Sequence, residues 1–133
     1  MVILGVDVGT IRVGIAVADG TVRIPFPVGV YLRAKYGAEK ALLAEIENRS
    51  ASLLVVGLPL GASGERTPAC NMVEGFVRRI AKRVKIEIVY VDEAFSSLEA
   101  TERLSQVSRG EQHIDAFAAC LILERYFELN SSS

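Results

Sequence analysis

Residues 2–10 read VILGVDVGT, and this stretch decides the fold of the chain. Val2–Val8 is a nearly continuous run of aliphatic residues, which predicts a strand buried on both faces of a sheet. Asp7 interrupts that run with a carboxylate, just before a glycine and a threonine turn the chain. An unpaired buried carboxylate would take up a proton or destabilise the fold, so Asp7 requires a partner. The alternative is that Asp7 only caps the Val8–Thr10 turn.

Two more strands are predicted directly after this turn. Arg12–Ala18 alternates branched residues with small ones, and the small face suggests a helix packed close against the sheet. The small residues are Gly14, Ala16 and Ala18. Asp19-Gly20 predicts a two-residue hairpin. The next strand, Thr21–Tyr31, contains two prolines, which lack the ladder donor, so we expect it at a sheet edge. The chain therefore opens with a three-stranded antiparallel meander.

Helical and strand patterns alternate through the rest of the chain. The predicted helices are Ala38–Arg49, Thr67–Ile80, Ser96 to about Leu104, and Ile114–Leu129; the predicted strands are Leu53–Val56 and Ile86–Val91. This order predicts one α/β domain over residues 1–129, followed by a disordered tail at 130–133. Right-handed crossovers place the first strand centrally, beside the fourth, in a mixed five-stranded sheet with helices on both faces.

The composition limits the function classes. The 133 residues include 15 basic and 16 acidic side chains, so bulk charge gives no argument for nucleic-acid binding. One histidine and two scattered cysteines cannot form a His/Cys zinc site, so oxygen ligands must hold any metal. Cys70 and Cys120 lie among apolar residues and are interpreted as buried in a reducing compartment. The chain shows no signal-peptide pattern and no membrane-spanning run, which predicts a cytoplasmic protein.

Three acids occupy positions where an acid is costly. They are Asp7 in the buried strand, Glu93 beside Asp92 at the carboxyl end of the fifth strand, and Asp115 at the start of the apolar final helix. If they converge they repel, and divalent cations are the natural compensation. Paired cations about 4 Å apart promote phosphodiester hydrolysis. The alternatives are a solvated strand end for Asp92-Glu93 and a first-turn acid complementing the helix dipole for Asp115.

Substrate contacts must come from local basic groups. Arg12 follows the first turn and could reach a phosphate near Asp7, or could form a structural ion pair. Arg66 and Thr67 combine a side chain with a helix N-terminus, which favours anions. A basic run closes the long helix and is either a solvated surface or a nucleic-acid contact. It contains Arg78, Arg79, Lys82, Arg83 and Lys85. His113 is either a general acid or part of a polar helix start.

Four motifs occur in order between Ile3 and about Phe127. They are Gly5-Val6-Asp7-Val8-Gly9-Thr10 with Arg12, Gly14 and Ala16; Val56-Gly57-Leu58-Pro59-Leu60 with Gly64 and Thr67; Asp92-Glu93 with Ser96, Ser97, Glu99 and Ala100; and Asp115 with Ala118, Ala119, Ile122 and Leu123. In this order they resemble the YqgF/RuvX family of pre-16S rRNA nucleases, once grouped with Holliday junction resolvases. The chain departs from that family at Ala94, where arginine is usual, and at Gly61, where asparagine is frequent.

The resemblance implies an RNase H-like fold with strand order 3-2-1-4-5. It implies a metal-dependent nuclease that holds two Mg²⁺ or Mn²⁺ ions on Asp7, Glu93 and Asp115, with Asp92 as a reserve ligand. Arg12, Arg66, Thr67 and Ser97 are the implied substrate-binding residues. Loss of a phosphate contact at Ala94 and of a polar group at Gly61 bears on activity and substrate choice more than on the fold.

The implied reaction is hydrolysis of structured nucleic acid, in particular at the 5′ end of pre-16S ribosomal RNA. The implied partners are precursor rRNA and the ribosome or small-subunit precursor, with no membrane; a monomer and a homodimer remain open. Three alternatives stay open: a resolvase acting on branched DNA, a catalytically weakened binding module, and a phosphotransferase. The last rests on residues 7–10, which also resemble the first phosphate loop of actin and sugar-kinase ATPases, but 133 residues do not supply their second lobe.

Overall fold

The computed structural model describes residues 1–92 and 114–130, with side chains for 1–92 and 116–130. The strands are β1 (Val2–Val8), β2 (Arg12–Asp19), β3 (Phe26–Leu32), β4 (Leu53–Leu58) and β5 (Glu87–Asp92). The helices are α1 (Gly37–Arg49), α2 (Pro68–Ala81) and α3 (Ile114–Leu129), with a short 3₁₀ turn at Ala34–Tyr36. The helix predicted from Ser96 to about Leu104 lies outside the described residues.

The five strands form one mixed sheet in the order β3-β2-β1-β4-β5. β2 pairs antiparallel with β1 and β3, whereas β4 runs parallel to β1 and β5. The predicted order and the central place of the first strand are therefore confirmed. The sheet is covered by α1 and α2 on one face and by α3 on the other. None of the described helices has the length and hydrophobicity needed to cross a bilayer.

β1 is apolar except at Asp7, because both of its faces are covered. Leu4, Val6 and Val8 belong to the core cluster formed with α1 and α2. Ile3 belongs to the second cluster, formed with α3. Since side chains alternate along a strand, the odd-numbered positions of β1 face α3, and Asp7 is one of them.

α3 packs on the sheet where the side chains are smallest. Ala16 and Ala18 of β2 lie fully buried beneath it, as the small-residue face predicts. At Gly5 the approach is closest: a Cβ there would lie 2.6 Å from Leu123 Cγ and 2.8 Å from the Ala119 carbonyl oxygen. Glycine at this position therefore sets the distance between helix and sheet.

The predicted hairpin at Asp19-Gly20 is wrong, because a longer loop joins β2 to β3. Asp19 Oδ1 accepts hydrogen bonds from the backbone N–H groups of Thr21 at 2.7 Å and Val22 at 3.0 Å, so its side chain organises the loop. β3 consequently begins at Phe26 instead of Thr21. It lies at a sheet edge, as predicted, and its register with β2 shifts between Ile15 and Ala16.

The other predicted elements that fall within the described residues are confirmed with small shifts at their ends. β4 continues to Leu58, and β5 begins at Glu87. Asn130, where a disordered tail is predicted to start, donates a side-chain hydrogen bond to the Tyr126 carbonyl at 2.8 Å; residues 131–133 lie outside the description. Both cysteines are free and buried, and burial raises the pKa of the Cys120 thiol to about 12.

The tight contact at Gly5 predicts opposite effects for two glycine-to-alanine substitutions. Gly5→Ala should destabilise the protein by about 1–3 kcal/mol, because the new methyl group overlaps α3. Gly75→Ala, in the middle of α2, should stabilise it by about 0.5–1 kcal/mol, since nothing lies within 3.9 Å of its Cβ. Urea denaturation measures both free energies of unfolding. Equal effects at the two positions would contradict the packing described above.

Candidate active site

Asp7 is the carboxylate at the centre of the candidate site. It lies one residue before the end of the central strand and is 9% exposed. Its neighbour across the β1–β2 ladder is Gly14, which has no side chain to fill the adjacent space on this face. The fold therefore places a nearly buried acid at the carboxyl edge of the parallel strands, where open sheets bind their ligands.

α3 brings its first turn to the same end of the sheet. Ala119 and Leu123 meet Gly5, whereas Phe127 lies under the Arg23 guanidinium, 5.8 Å away, at the opposite end of β1. The helix thus runs antiparallel to β1. Its backbone at Asp115 is one turn before Ala119, about 6 Å nearer the end of β1. Two of the predicted acids therefore belong to elements that converge at one edge.

β5 ends at this edge too, but its last side chain, that of Asp92, lies on the other face of the sheet. Asp92 pairs with Leu58, which packs in the cluster formed with α1 and α2. Asp92 therefore lies on the face opposite Asp7. This placement does not favour the predicted role of Asp92 as a reserve ligand beside Asp7.

The other predicted site residues lie beyond what the structure describes. Glu93, Ser97 and His113 fall in the undescribed segment, with Ala94, and the side chain of Asp115 is likewise not described. Within residues 1–92 and 116–130, no three potential metal ligands come together. The predicted meeting of Asp7, Glu93 and Asp115 stays a prediction.

Arg12 is the predicted substrate contact whose position suits its role best. It opens β2, two residues before Gly14, so alternation places it on the same face as Asp7. The side chain is exposed, and it makes no ion pair with any described residue. An exposed guanidinium on the face of Asp7, with no ion-pair partner among residues 1–92 and 116–130, is suited to binding a phosphate.

The turn between β1 and β2 is held by contacts that sequence analysis did not find. The Gly9 N–H donates to the Arg12 carbonyl at 2.8 Å, and a Cβ on Gly9 would lie 2.8 Å from that oxygen. Arg33 Nη1 donates to the Gly9 carbonyl at 3.1 Å, and its guanidinium lies 5.5 Å from the centre of the Phe76 ring. Arg33 therefore fixes the turn after Asp7 to α2. No sequence signal marks it, because its partners are 24 and 43 positions away.

Arg66 and Thr67 are largely engaged by the protein itself. Arg66 forms two hydrogen bonds with the Glu74 carboxylate, at 2.5 and 3.1 Å, and one with Asn71 at 2.9 Å. These bonds lower the pKa of Glu74 and raise the pKa of Arg66. The Thr67 hydroxyl donates to the Pro59 carbonyl at 2.7 Å. Both side chains thus stabilise the loop before α2 through contacts within the protein.

The sheet order and the crossing helix define an RNase H-like fold of the resolvase class, as predicted. Two solved structures share it. The fowlpox virus resolvase in complex with Holliday junction DNA has a TM-score of 0.60 and 12% identity, over 98% of this chain and 99% of that one. T. thermophilus RuvC with a Holliday junction substrate has a TM-score of 0.60 and 15% identity, over 98% and 97%.

The chain belongs to the RuvX family. The family model described as "RuvX: Holliday junction resolvase" matches residues 1–129. A protein of Synechocystis is 36% identical over 97% of this chain and 88% of its own length. One of Oleidesulfovibrio alaskensis is 38% identical over 95% and 91%. Both bear the name "Putative pre-16S rRNA nuclease". The resemblance seen in the four motifs is confirmed.

The Arg66–Glu74 ion pair predicts how the pKa of Glu74 changes when Arg66 is replaced. In Arg66→Gln the pKa of Glu74 should rise toward its ordinary value of 4.5, as measured by NMR of the carboxyl carbon. Arg49→Gln, which removes the partner of Glu45 on α1, is the control and should leave Glu74 unchanged. Because the folded pKa is lowered, the pair stabilises the fold at neutral pH and loses that contribution as the pH falls through it. A Glu74 pKa insensitive to Arg66→Gln would refute the pairing.

Proposed function

We propose that this protein is a metal-dependent nuclease that hydrolyses phosphodiester bonds of structured nucleic acid. The observation that carries the proposal is the nearly buried Asp7 carboxylate at the edge where β1 ends, on the face covered by α3. A carboxylate at the carboxyl end of a parallel strand lies where open α/β sheets bind their ligands. Family membership supports the same conclusion.

A divalent cation fits the donors of this site. Asp7 supplies a carboxylate, and Glu93 and Asp115 would supply two further carboxylates. Mg²⁺ and Mn²⁺ prefer such oxygen donors. Two bound ions would supply Lewis acidity and neutralise the charge that develops on the phosphate.

The residues of the chain then have separate tasks. Asp7, Glu93 and Asp115 would hold the cations through their carboxylate oxygens. Arg12, exposed on the same face, binds a phosphate of the backbone and orients the scissile bond. The close packing of α3 at Gly5 keeps the first turn of α3 at a fixed distance from Asp7, which holds the reacting geometry.

The substrate we propose is precursor 16S rRNA, cleaved near its 5′ end in the cytoplasm, within or before the small-subunit precursor. The names of the relatives support RNA. The second candidate is branched DNA, because the structures that share this fold include resolvases bound to Holliday junctions. Cleavage of a structured precursor RNA and of a four-way DNA junction, each with and without chelator, distinguishes the two.

Replacing the central carboxylate should abolish cleavage while leaving the fold intact. Asp7→Asn should lower the cleavage rate at least about 100-fold, because the amide keeps the shape of the side chain but removes its charge. Asp19→Asn is a matched control at the opposite end of β2, where Asn still accepts the loop hydrogen bonds. Single-turnover cleavage with Mn²⁺ measures both. Chelator-resistant cleavage, or an unchanged rate in Asp7→Asn, would reject the proposal.

Arg12 should contribute through substrate binding. Arg12→Ala should lower kcat/KM about tenfold, as expected for the loss of one charge-assisted hydrogen bond to phosphate. Arg23→Ala is the control, since Arg23 lies on Phe127 at the other end of the sheet. A loss of the same size in both variants would show that general surface charge, not the position of Arg12, is responsible.

A further inference from the structure

A basic groove lies between α1 and α2, apart from the site at Asp7. Two adjoining cavities, of about 280 and 560 Å³, share Tyr36, Glu39 and Arg79 in their walls. The basic side chains of the walls are Arg33, Lys35, Lys40, Arg79, Lys82 and Arg83. Glu39 is the single acidic residue in them. In a chain of net charge −1, this α1–α2 groove concentrates positive charge.

One ion pair organises the groove. Glu39 is 8% exposed, and its Oε2 accepts a hydrogen bond from Arg79 Nε at 3.0 Å. Glu39 Oε1 is enclosed and has no partner among the described residues. The terminal nitrogens of Arg79 make no hydrogen bond within the described part of the chain, and this side chain is 43% exposed. Glu39 thus holds Arg79 by one nitrogen and leaves its fork open, the geometry that binds a phosphate.

The neighbouring groups extend this arrangement. Lys82 and Arg83 lie three and four residues after Arg79, on the same side of α2. Tyr36 is 64% exposed at the start of α1, with a left-handed backbone (φ 59°) that follows a second left-handed residue, Lys35. An accessible aromatic ring beside several cations is the combination that binds single-stranded nucleic acid.

The groove begins close to the candidate active site. Thr10 lies in the wall of the larger cavity and follows Asp7 by three residues. Their Cα atoms are therefore no more than about 11 Å apart. The groove lies on the sheet face opposite Asp7, so a strand that leaves Asp7 would pass around this turn to reach it.

We propose that the α1–α2 groove binds the single-stranded segment of RNA that continues from the cleavage site. Arg79 and Lys82 contact its phosphates, and Tyr36 stacks on one of its bases. This inference rests on the proposed function, and it narrows the substrate to duplexes that carry a single-stranded extension. An ion pair that merely joined α1 to α2 would require neither the exposed ring nor the other cations.

The experiment measures binding in chelator, so that no cleavage occurs, of a blunt RNA duplex and of the same duplex with a single-stranded extension. Tyr36→Asn removes the ring but tolerates the left-handed backbone, and Tyr36→Phe keeps the ring. Arg79→Ala removes the oriented guanidinium. Arg49→Ala is the matched control, an ion-paired arginine at the far end of α1. Thermal denaturation confirms that each variant is folded.

We expect Tyr36→Asn to weaken binding of the extended duplex at least about fivefold, and Tyr36→Phe to stay near wild type. Arg79→Ala should reduce the slope of log K against log salt by about 0.7, and Arg49→Ala should not. None of the four should change binding of the blunt duplex. Equal losses on both duplexes, wild-type affinity in Tyr36→Asn and Arg79→Ala, or tighter binding of free AMP than of the extended duplex would each overturn the inference.

The two proposals fail separately. Asp7→Asn should bind the extended duplex as wild type does, because Asp7 is outside the groove. If the wild-type protein cleaves no substrate with Mn²⁺ but binds the extension through Tyr36 and Arg79, the nuclease proposal fails and the proposal for the α1–α2 groove stands. If cleavage depends on Asp7 while Tyr36→Asn and Arg79→Ala bind normally, the groove proposal fails alone.

Discussion

The contact between α3 and the central strand at Gly5 is the constraint on which the rest of the structure depends. Because no side chain separates them, the helix backbone lies against β1, with the Ala119 carbonyl 2.8 Å from where a Cβ would be. The same contact fixes the direction of α3, antiparallel to β1. That direction brings the start of the helix to the strand end that carries Asp7. Packing of small residues thereby determines which acids can meet.

Under the proposed function, the location of Asp7 lowers the folding stability of the protein in exchange for nuclease activity. A carboxylate in the most buried strand weakens the fold unless its charge is compensated, whereas an aliphatic residue there would extend the core. Three features lie around Asp7: a glycine opposite it, a turn held by Arg33, and the exposed Arg12. Under the proposed function, they place a carboxylate and a guanidinium on one face at the end of β1.

Much of this fold could be predicted from local patterns, since they reflect local physics. The uninterrupted run in β1 requires burial on both faces, and the alternation of Gly14, Ala16 and Ala18 requires a closely packed helix. The predicted hairpin at Asp19-Gly20 was wrong because the pattern of residues cannot show that the Asp19 carboxylate binds the amides of Thr21 and Val22. The contacts of Arg33 and Glu39 were missed because their partners are distant in sequence.

For the candidate site, sequence analysis predicted the secondary-structure elements more reliably than the contacts of the side chains. Asp7 and Arg12 lie on one face, while Arg66 and Thr67 are hydrogen-bonded to Glu74 and Pro59. Sequence analysis did not find these bonds, because a basic residue before a helix looks the same in sequence whether it neutralises a phosphate or an internal acid.

The irregular pairing of β3 also bears on how the protein behaves in a concentrated solution. Half of the residues of the whole chain are hydrophobic. The outermost strands of an open sheet can pair with strands of other molecules and so start fibril growth. At β3 the register shift and Pro27 interrupt the outward row of amide donors. Both features disfavour the addition of a strand from a second copy in a continuous ladder, which reduces the tendency of that edge toward amyloid-like stacking.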